Sequence, residues 1–318
     1  MEILREIING TLLGDASIKI EKYNDSRYFS YKLTAKDRNF LLWCQKLFDL
    51  FKVKSWISLE NKVSLTHSLW FYINTCPYPE FLNLHSKWYI PKDGRNFKIV
   101  PRDLEITPTV LLHWYLGDGC LVRQKGSNRI PRIVFATNCF TKEDVDFLIG
   151  KLKTLGLNFY SNAATSGFNK GKASGYVLIS KTEDGTLFRF FKLIGLKCPE
   201  EIESCTTGSK GRGSIKHYFK NKWPAEDDWL RILSNTKGIG KIIKQKRTSL
   251  GISQGELAKR VGCGRNTIKR VERGVRFASV ELLSKILNTI DLNPSELSGF
   301  SAERPLEKDL NTTNAIIG

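Results

Sequence analysis

The chain has 318 residues, 41% of them hydrophobic, which is long enough for a sizeable core and about two domains. With 50 Lys and Arg against 32 Asp and Glu, the net charge is +18, a balance that favours a polyanionic partner and puts nucleic acid ahead of a membrane surface. No apolar run approaches the ~20 residues that span a bilayer, and MEILREIINGTLLGD has neither the basic n-region nor the cleavage site of a secretory signal.

Residues 2–14 predict a helix with Ile3, Ile7, Ile8, Leu12 and Leu13 apolar. ASIKIEK (16–22) and YFSYKLTAK (28–36) predict a hairpin turning at Asn24-Asp25-Ser26. DRNFLLWCQKLFDLF (37–51) has Phe40, Leu41, Trp43, Leu47, Phe48 and Phe51 at helical spacing behind an Asp37 N-cap. Strands are expected at 55–60 and 63–74, and a helix at 79–88. The order then recurs. ITPTVLLHWYLGDG (106–119) opens on a Thr107-Pro108 cap and makes a second helix. Strands at 120–124 and 132–137, a helix over 140–156 capped by Thr141, strands in LNFYSNAA and SGYVLISK, and a helix over 186–195 complete it. The reading is an α+β chain in which αββαββα occurs twice with pseudo-two-fold symmetry, followed by a small all-α domain. TTGSKGRG (206–213) reads as a linker, 226–233 as a short helix, 237–300 as a compact helical unit and 301–318 as a tail.

INGTLLGDA (8–16) and LLHWYLGDG (111–119) end alike, each an apolar helix closing on Gly-Asp and a small residue. Asp15 and Asp118 thus stand at the negative ends of helix dipoles. Two such helices side by side would juxtapose two carboxylates, which is unfavourable without a cation, so the pair points to a divalent metal site. Gly14, Gly117 and Gly10 leave room for close backbone approach. The seven cysteines (Cys44, Cys76, Cys120, Cys139, Cys198, Cys205, Cys263) are odd in number and contain no C-x-x-C, which reads as a reduced, intracellular protein without a zinc ribbon.

These two motifs resemble those of single-chain LAGLIDADG homing endonucleases. KIVPRDLEITP (98–108) and FATNCFTKEDVDFLIGKL (135–152) are similar to the stretches flanking the second motif in that family, and the likeness covers roughly residues 1–200. It implies halves at 1–104 and 105–205, with motif helices at their interface and two four-stranded saddles in the DNA major groove. It further implies Mg²⁺ or Mn²⁺ held by the motif acids over the scissile phosphates, and cutting of both strands of a long asymmetric duplex across the minor groove to leave short 3′ overhangs. Carried over, Asp15, Asp118 and Lys98 are the catalytic residues, and the metal site comprises Asp15 and Asp118 with Ala16 and Gly119 beside them. Lys19, Lys32, Arg123, Arg132 and Lys181 are the expected saddle contacts to DNA. His113, opposite Gly10, departs from the pattern and reads as a packed core histidine. No lysine falls near Ser204 or Cys205, where the second half should match Lys98. Lys210 and Lys197 are the substitutes considered.

GISQGELAKRVGCGRNTIKRVERG (251–274) resembles a lambda-repressor/Cro-type helix-turn-helix. Ser253 and Glu256 form a capping box, Gly262 makes the turn, and 266–273 is the recognition helix. The resemblance places Gln254, Arg265, Asn266, Thr267, Lys269 and Arg270 against DNA. The helix-turn-helix domain is set at 237–300, behind a basic linker at 206–236 that carries the short helix. The reading is therefore a monomeric, double-stranded-DNA endonuclease in a prokaryotic or phage-infected cytoplasm, associated with the nucleoid and not with a membrane. Two alternatives stay open: an intron RNA maturase on the same fold, and a transcriptional repressor.

Overall fold

The computed structural model describes residues 2–23, 26–59, 70–123, 129–164, 175–182, 185–207, 216–217, 219–236 and 238–293. The chain divides into two compact units, 1–225 and 226–318. In the first unit α1 (Glu2–Leu13), β1 (Ala16–Tyr23), β2 (Ser26–Ala35), α2 (Arg38–Leu50), β3 (Ser55–Leu59), β4 (Phe71–Thr75) and α3 (Pro79–Trp88) make one half. A hairpin, β5 (Tyr89–Lys92) and β6 (Arg95–Lys98), follows. Next come α4 (Pro108–Asp118), β7 (Gly119–Val122), β8 (Arg132–Ala136), α5 (Lys142–Thr154), β9 (Phe159–Ala163), β10 (Tyr176–Ser180) and α6 (Thr186–Ile194). The αββαββα order is therefore duplicated as expected, within an α+β fold. The strand orders are identical in kind, β1-β2-β4-β3 and β7-β8-β10-β9.

The pseudo-symmetry extends to single bonds. The Tyr31 amide donates to the Thr75 hydroxyl at 3.0 Å, and at the matching register the Ile133 amide donates to the Ser180 hydroxyl at 2.9 Å. Helix starts follow their local chemistry: the Asp37 carboxylate accepts from the Asn39 and Phe40 amides, Thr107 accepts from Val110, and Thr141 from Asp144. Each sheet buries one face. Tyr31, Leu33 and Ile73 pack inward with Phe48 and Phe81; Ile133, Phe135 and Leu178 pack with Trp114, Phe190 and Phe191. Helices α1 and α4 run between them. α4 is buried nearly all round, from Val110 to Leu116, which is why its sequence is apolar without a polar stripe.

Two features differ from the sequence expectation. The β5–β6 hairpin has no helical or strand periodicity long enough to announce it. Its two-residue turn, Asp93 (φ 51°) and Gly94 (φ 71°), has the left-handed pair that Asp-Gly favours. The stretch assigned to a basic linker, 206–236, is divided between the units. α7 (Glu200–Glu203) leads into β11 (Thr206–Thr207), which pairs with β12 (Lys216–His217), and a 3₁₀ turn (Lys220–Lys222) follows, all within the first unit. Phe219 and Trp223 are the anchors. Phe219 lies 4.7 Å from the Phe40 ring, and the Trp223 indole N–H donates to the Gly195 carbonyl at 2.9 Å. The expected tail 301–318, the hairpin connection at 24–25 and Lys210 lie outside the described residues.

The second unit contains α8 (Glu226–Ser234), α9 (Ile239–Ser249), α10 (Gln254–Val261), α11 (Arg265–Glu272) and α12 (Val280–Thr289). The short helix α8 packs on α12, so it belongs to this unit and not to a linker. α10 and α11 meet through Gly262, whose φ of 77° suits glycine. Gly240 lets α9 meet α11: a Cβ there would lie 2.1 Å from the Val271 carbonyl oxygen. Ser253 caps α10 through the Glu256 amide, but the Glu256 carboxylate pairs with Arg260, so only one arm of the capping box forms. Among the described residues no helix is long and apolar enough to cross a membrane.

Candidate active site

The C-termini of α1 and α4 converge. A Cβ built on Gly10 would lie 2.5 Å from the Val110 carbonyl oxygen and 2.8 Å from the His113 Cβ, so the helices touch backbone to backbone at that level. At their ends a Cβ on Gly14 would lie 3.4 Å from the Asp118 amide nitrogen, and one on Gly117 would lie 3.6 Å from that of Asp15. The two Gly-Asp steps are therefore packed against each other, and the two aspartates leave the helix pair side by side. Asp15 opens to solvent and Asp118 is half-buried. Protein nevertheless replaces much of the water around both carboxyls. This desolvation raises both above the ordinary aspartate value, and Asp118 reaches about 7 because the charge of Asp15 adds to burial.

Each helix end carries a lysine. Lys98 Nζ donates to the Gly14 and Ala16 carbonyls at 3.1 and 2.8 Å. Lys222 Nζ donates to the carbonyls of Tyr115, Leu116 and Gly117 at 3.1, 2.6 and 3.1 Å. These ammonium groups satisfy last-turn carbonyls and oppose the dipole's negative end, where an aspartate alone would be disfavoured. Burial lowers Lys98 below the usual lysine value and brings Lys222 down to about 8, while Asp118 and Asp15 act in the opposite sense. The result is a compact arrangement of two carboxylates and two partly desolvated cations.

Lys222 is the residue that sequence reasoning missed. Lys98 stands 84 residues beyond Gly14, whereas Lys222 stands 105 beyond Gly117, so a search at matched spacing stops short of it. Its available signal is aromatic flanking, Phe219 before and Trp223 after. Lys197, one of the two substitutes considered, makes none of these bonds. Arg123 is exposed and also touches the Lys222 turn. Its guanidinium donates to the Asn221 and Trp223 carbonyls, both at 2.9 Å, and so secures the turn that carries Lys222.

The other expected positions lie as follows. The Ala16 carbonyl already accepts from Lys98, and Gly119 is buried beneath Tyr115, whose ring leaves no room for a Cβ. Lys19, Arg132 and Lys181 are exposed, and Lys32 lies 4.1 Å over the Tyr72 ring. His113 is a buried core histidine stacked on Trp43 at 5.5 Å, with Nδ1 unpaired, and burial takes it down to about 4. In the second unit Arg265, Asn266, Lys269 and Arg270 are exposed and Thr267 is half-buried. Gln254 donates to Glu272 at 2.8 Å, and Glu272 is held by Arg247 Nε at 2.6 Å, so Gln254 serves an internal network.

The profile of the LAGLIDADG DNA endonuclease family matches residues 5–188. The chain belongs to the LAGLIDADG DNA endonuclease family. A helix-turn-helix profile matches residues 243–297. An uncharacterised protein of Methanocaldococcus jannaschii is 33% identical over 168 residues, covering 50% of this chain; the chain spans 59% of that relative's length. Among solved structures, the homing endonuclease I-WcaI bound to its DNA recognition sequence has a TM-score of 0.48 at 22% identity, covering 61% of this chain and 81% of that one. I-DmoI in complex with nicked target DNA has a TM-score of 0.40 at 17% identity, covering 60% and 94%.

Proposed function

We propose that this chain is a divalent-metal-dependent, site-specific endonuclease for double-stranded DNA, acting as a monomer whose two halves each address one half of the target. One observation carries the reading: two carboxylates, one open to solvent and one half-buried, end the central helix pair, each beside a lysine bonded to the same helix end. The donor set fits Mg²⁺ or Mn²⁺. Two hard carboxylates suit a cation that completes its coordination with water and substrate phosphate, and among the described residues no group of three or more His, Cys, Asp or Glu gathers. Asp15 and Asp118 would hold the ion. When bound, such an ion neutralises charge on the scissile phosphate and makes water a competent nucleophile at neutral pH.

The protein's own groups do the rest. Asp118 must lose its proton to become a ligand, and with its value near 7 it does so close to neutrality. Lys98 and Lys222, fixed by backbone carbonyls, present positive charge beside each carboxylate without a rotamer search. The exposed cations of the sheets and of α11 add phosphate contacts that position the duplex and make binding steeply salt-dependent.

The test is incubation of the full-length protein with Mg²⁺ and a randomised duplex library. Sequence-specific double-strand breaks are expected. Asp118→Asn should lower cutting by about 10³-fold or more, reflecting several kcal/mol of metal-borne stabilisation, while leaving DNA affinity within about twofold. Binding without cutting at any Mg²⁺ concentration would favour a repressor, and preference for RNA a maturase. Either would overturn the nuclease reading.

A further inference from the structure

The faces of the two sheets that turn away from the core are built from different chemistries. In the first sheet a row crosses all four strands two residues beyond Asp15: Ser17, Lys32, Asn74 and Trp56. The adjacent row is Thr34, Tyr72 and Ser58. Nearly every member can donate or accept a hydrogen bond. The equivalent row of the second sheet, two residues beyond Asp118, is Cys120, Val134, Ile179 and Tyr160. The next row holds Ala136, Val177 and Asn162. Cys120, Val122 and Ala136 are exposed, while Val134, Val177 and Ile179 are half-buried. Single exposed aliphatics are ordinary, but a contiguous set in register on one face marks a contact surface.

The occupant follows from the border. Exposed Arg132 stands at the edge of this same face, paired in register with Val122 and donating to the Tyr160 hydroxyl at 3.1 Å, and exposed Lys181 stands just past the end of β10. Cations around an apolar strip repel a second copy of a chain of charge +18 and suit a polyanion. In the major groove of DNA the one apolar group on a base edge is the thymine C5-methyl. Resting on the nuclease reading, we propose that the second sheet recognises its half-site by apolar contact with thymine methyls, whereas the first sheet reads hydrogen-bonding base edges. The two half-sites then differ in kind, the second being a T·A-rich run and the first a mixed sequence.

The experiment selects cleaved duplexes from a randomised pool with the full-length protein and Mg²⁺, then aligns them about the break. One flank should be enriched in T·A pairs. Val134→Thr with Ile179→Thr, which keeps β-branching on the solvent face, should alter that flank alone, and Lys32→Ala the other flank alone. Replacing thymidine by deoxyuridine in the T·A-rich flank should weaken binding about fourfold per methyl removed at the contacted positions, and less than about twofold in the other flank. Equal deoxyuridine costs in both flanks, or an unchanged flank in the Val134/Ile179 variant, would overturn the inference while the breaks themselves left the nuclease reading standing. A pool yielding neither binding nor breaks would overturn both.

Discussion

In the first half, the lysine beside the aspartate arrives on a hairpin that directly precedes the second motif helix. In the second half it arrives on a 3₁₀ turn beyond the repeat, held by Arg123, Phe219 and Trp223. Both ammonium groups nevertheless finish on the last carbonyls of a motif helix. The comparison teaches that the repeat is strict where electrostatics demands it, at the helix ends, and loose in the chain path that meets the demand. The open sheet faces diverge further still, because nothing in the core constrains them.

If the two lysines are equivalent, each should serve one strand. Lys98→Met and Lys222→Met are each expected to slow cutting of a single strand by about 10²-fold or more, so that nicked plasmid accumulates and the nick falls on opposite strands in the two variants. Nicks on the same strand in both would break the equivalence. Lys222→Met also removes three backbone hydrogen bonds, so its melting temperature should be compared with that of Lys222→Arg, which keeps the charge.

A smaller effect separates the two motif helices. His113 on α4 faces the position of Gly10 on α1, and burial takes it down to about 4. Below the unfolded value of about 6.5 the unfolded chain takes up a proton that the folded protein refuses. Stability from this group is therefore complete above pH 6.5 and is lost as pH falls toward 4, by ~3 kcal/mol. Asp118, raised to about 7, contributes with the opposite sign over the same range in both proteins, so the test is the difference: the urea midpoint of the parent should fall relative to that of His113→Gln as pH drops from 6.5 to 4. Equal slopes would assign the acid sensitivity elsewhere.

Glycine substitutions give the smallest contrast. Gly10→Ala drives a methyl into the Val110 carbonyl and should cost ~1–3 kcal/mol. Gly150→Ala, on the exposed face of α5 with nothing within 4 Å, should stabilise by ~0.5–1 kcal/mol. A reversal of these signs in thermal melts would contradict the helix contact on which the site depends.

The sequence by itself determined the elements and the two helix ends. Caps at Asp37, Thr107, Thr141 and Ser253, alternation in the strands and the paired Gly-Asp steps are local signals, written within one or two turns of the residues they control. Asp15 and Asp118 were legible as helix ends for that reason, as were the duplicated order and the helix-turn-helix, whereas Lys98, 84 residues from Gly14, was named only by the family resemblance. Only the tertiary structure decided which cation completes the second helix end, that exposed Arg123 bonds the backbone of the turn carrying it, and that residues 219–223 belong to the first unit. Those outcomes depend on aromatic anchors meeting rings far back in the chain, Trp223 against Tyr115 and Phe219 against Phe40. Long-range closure of that kind is governed by packing and leaves no periodic trace along the chain.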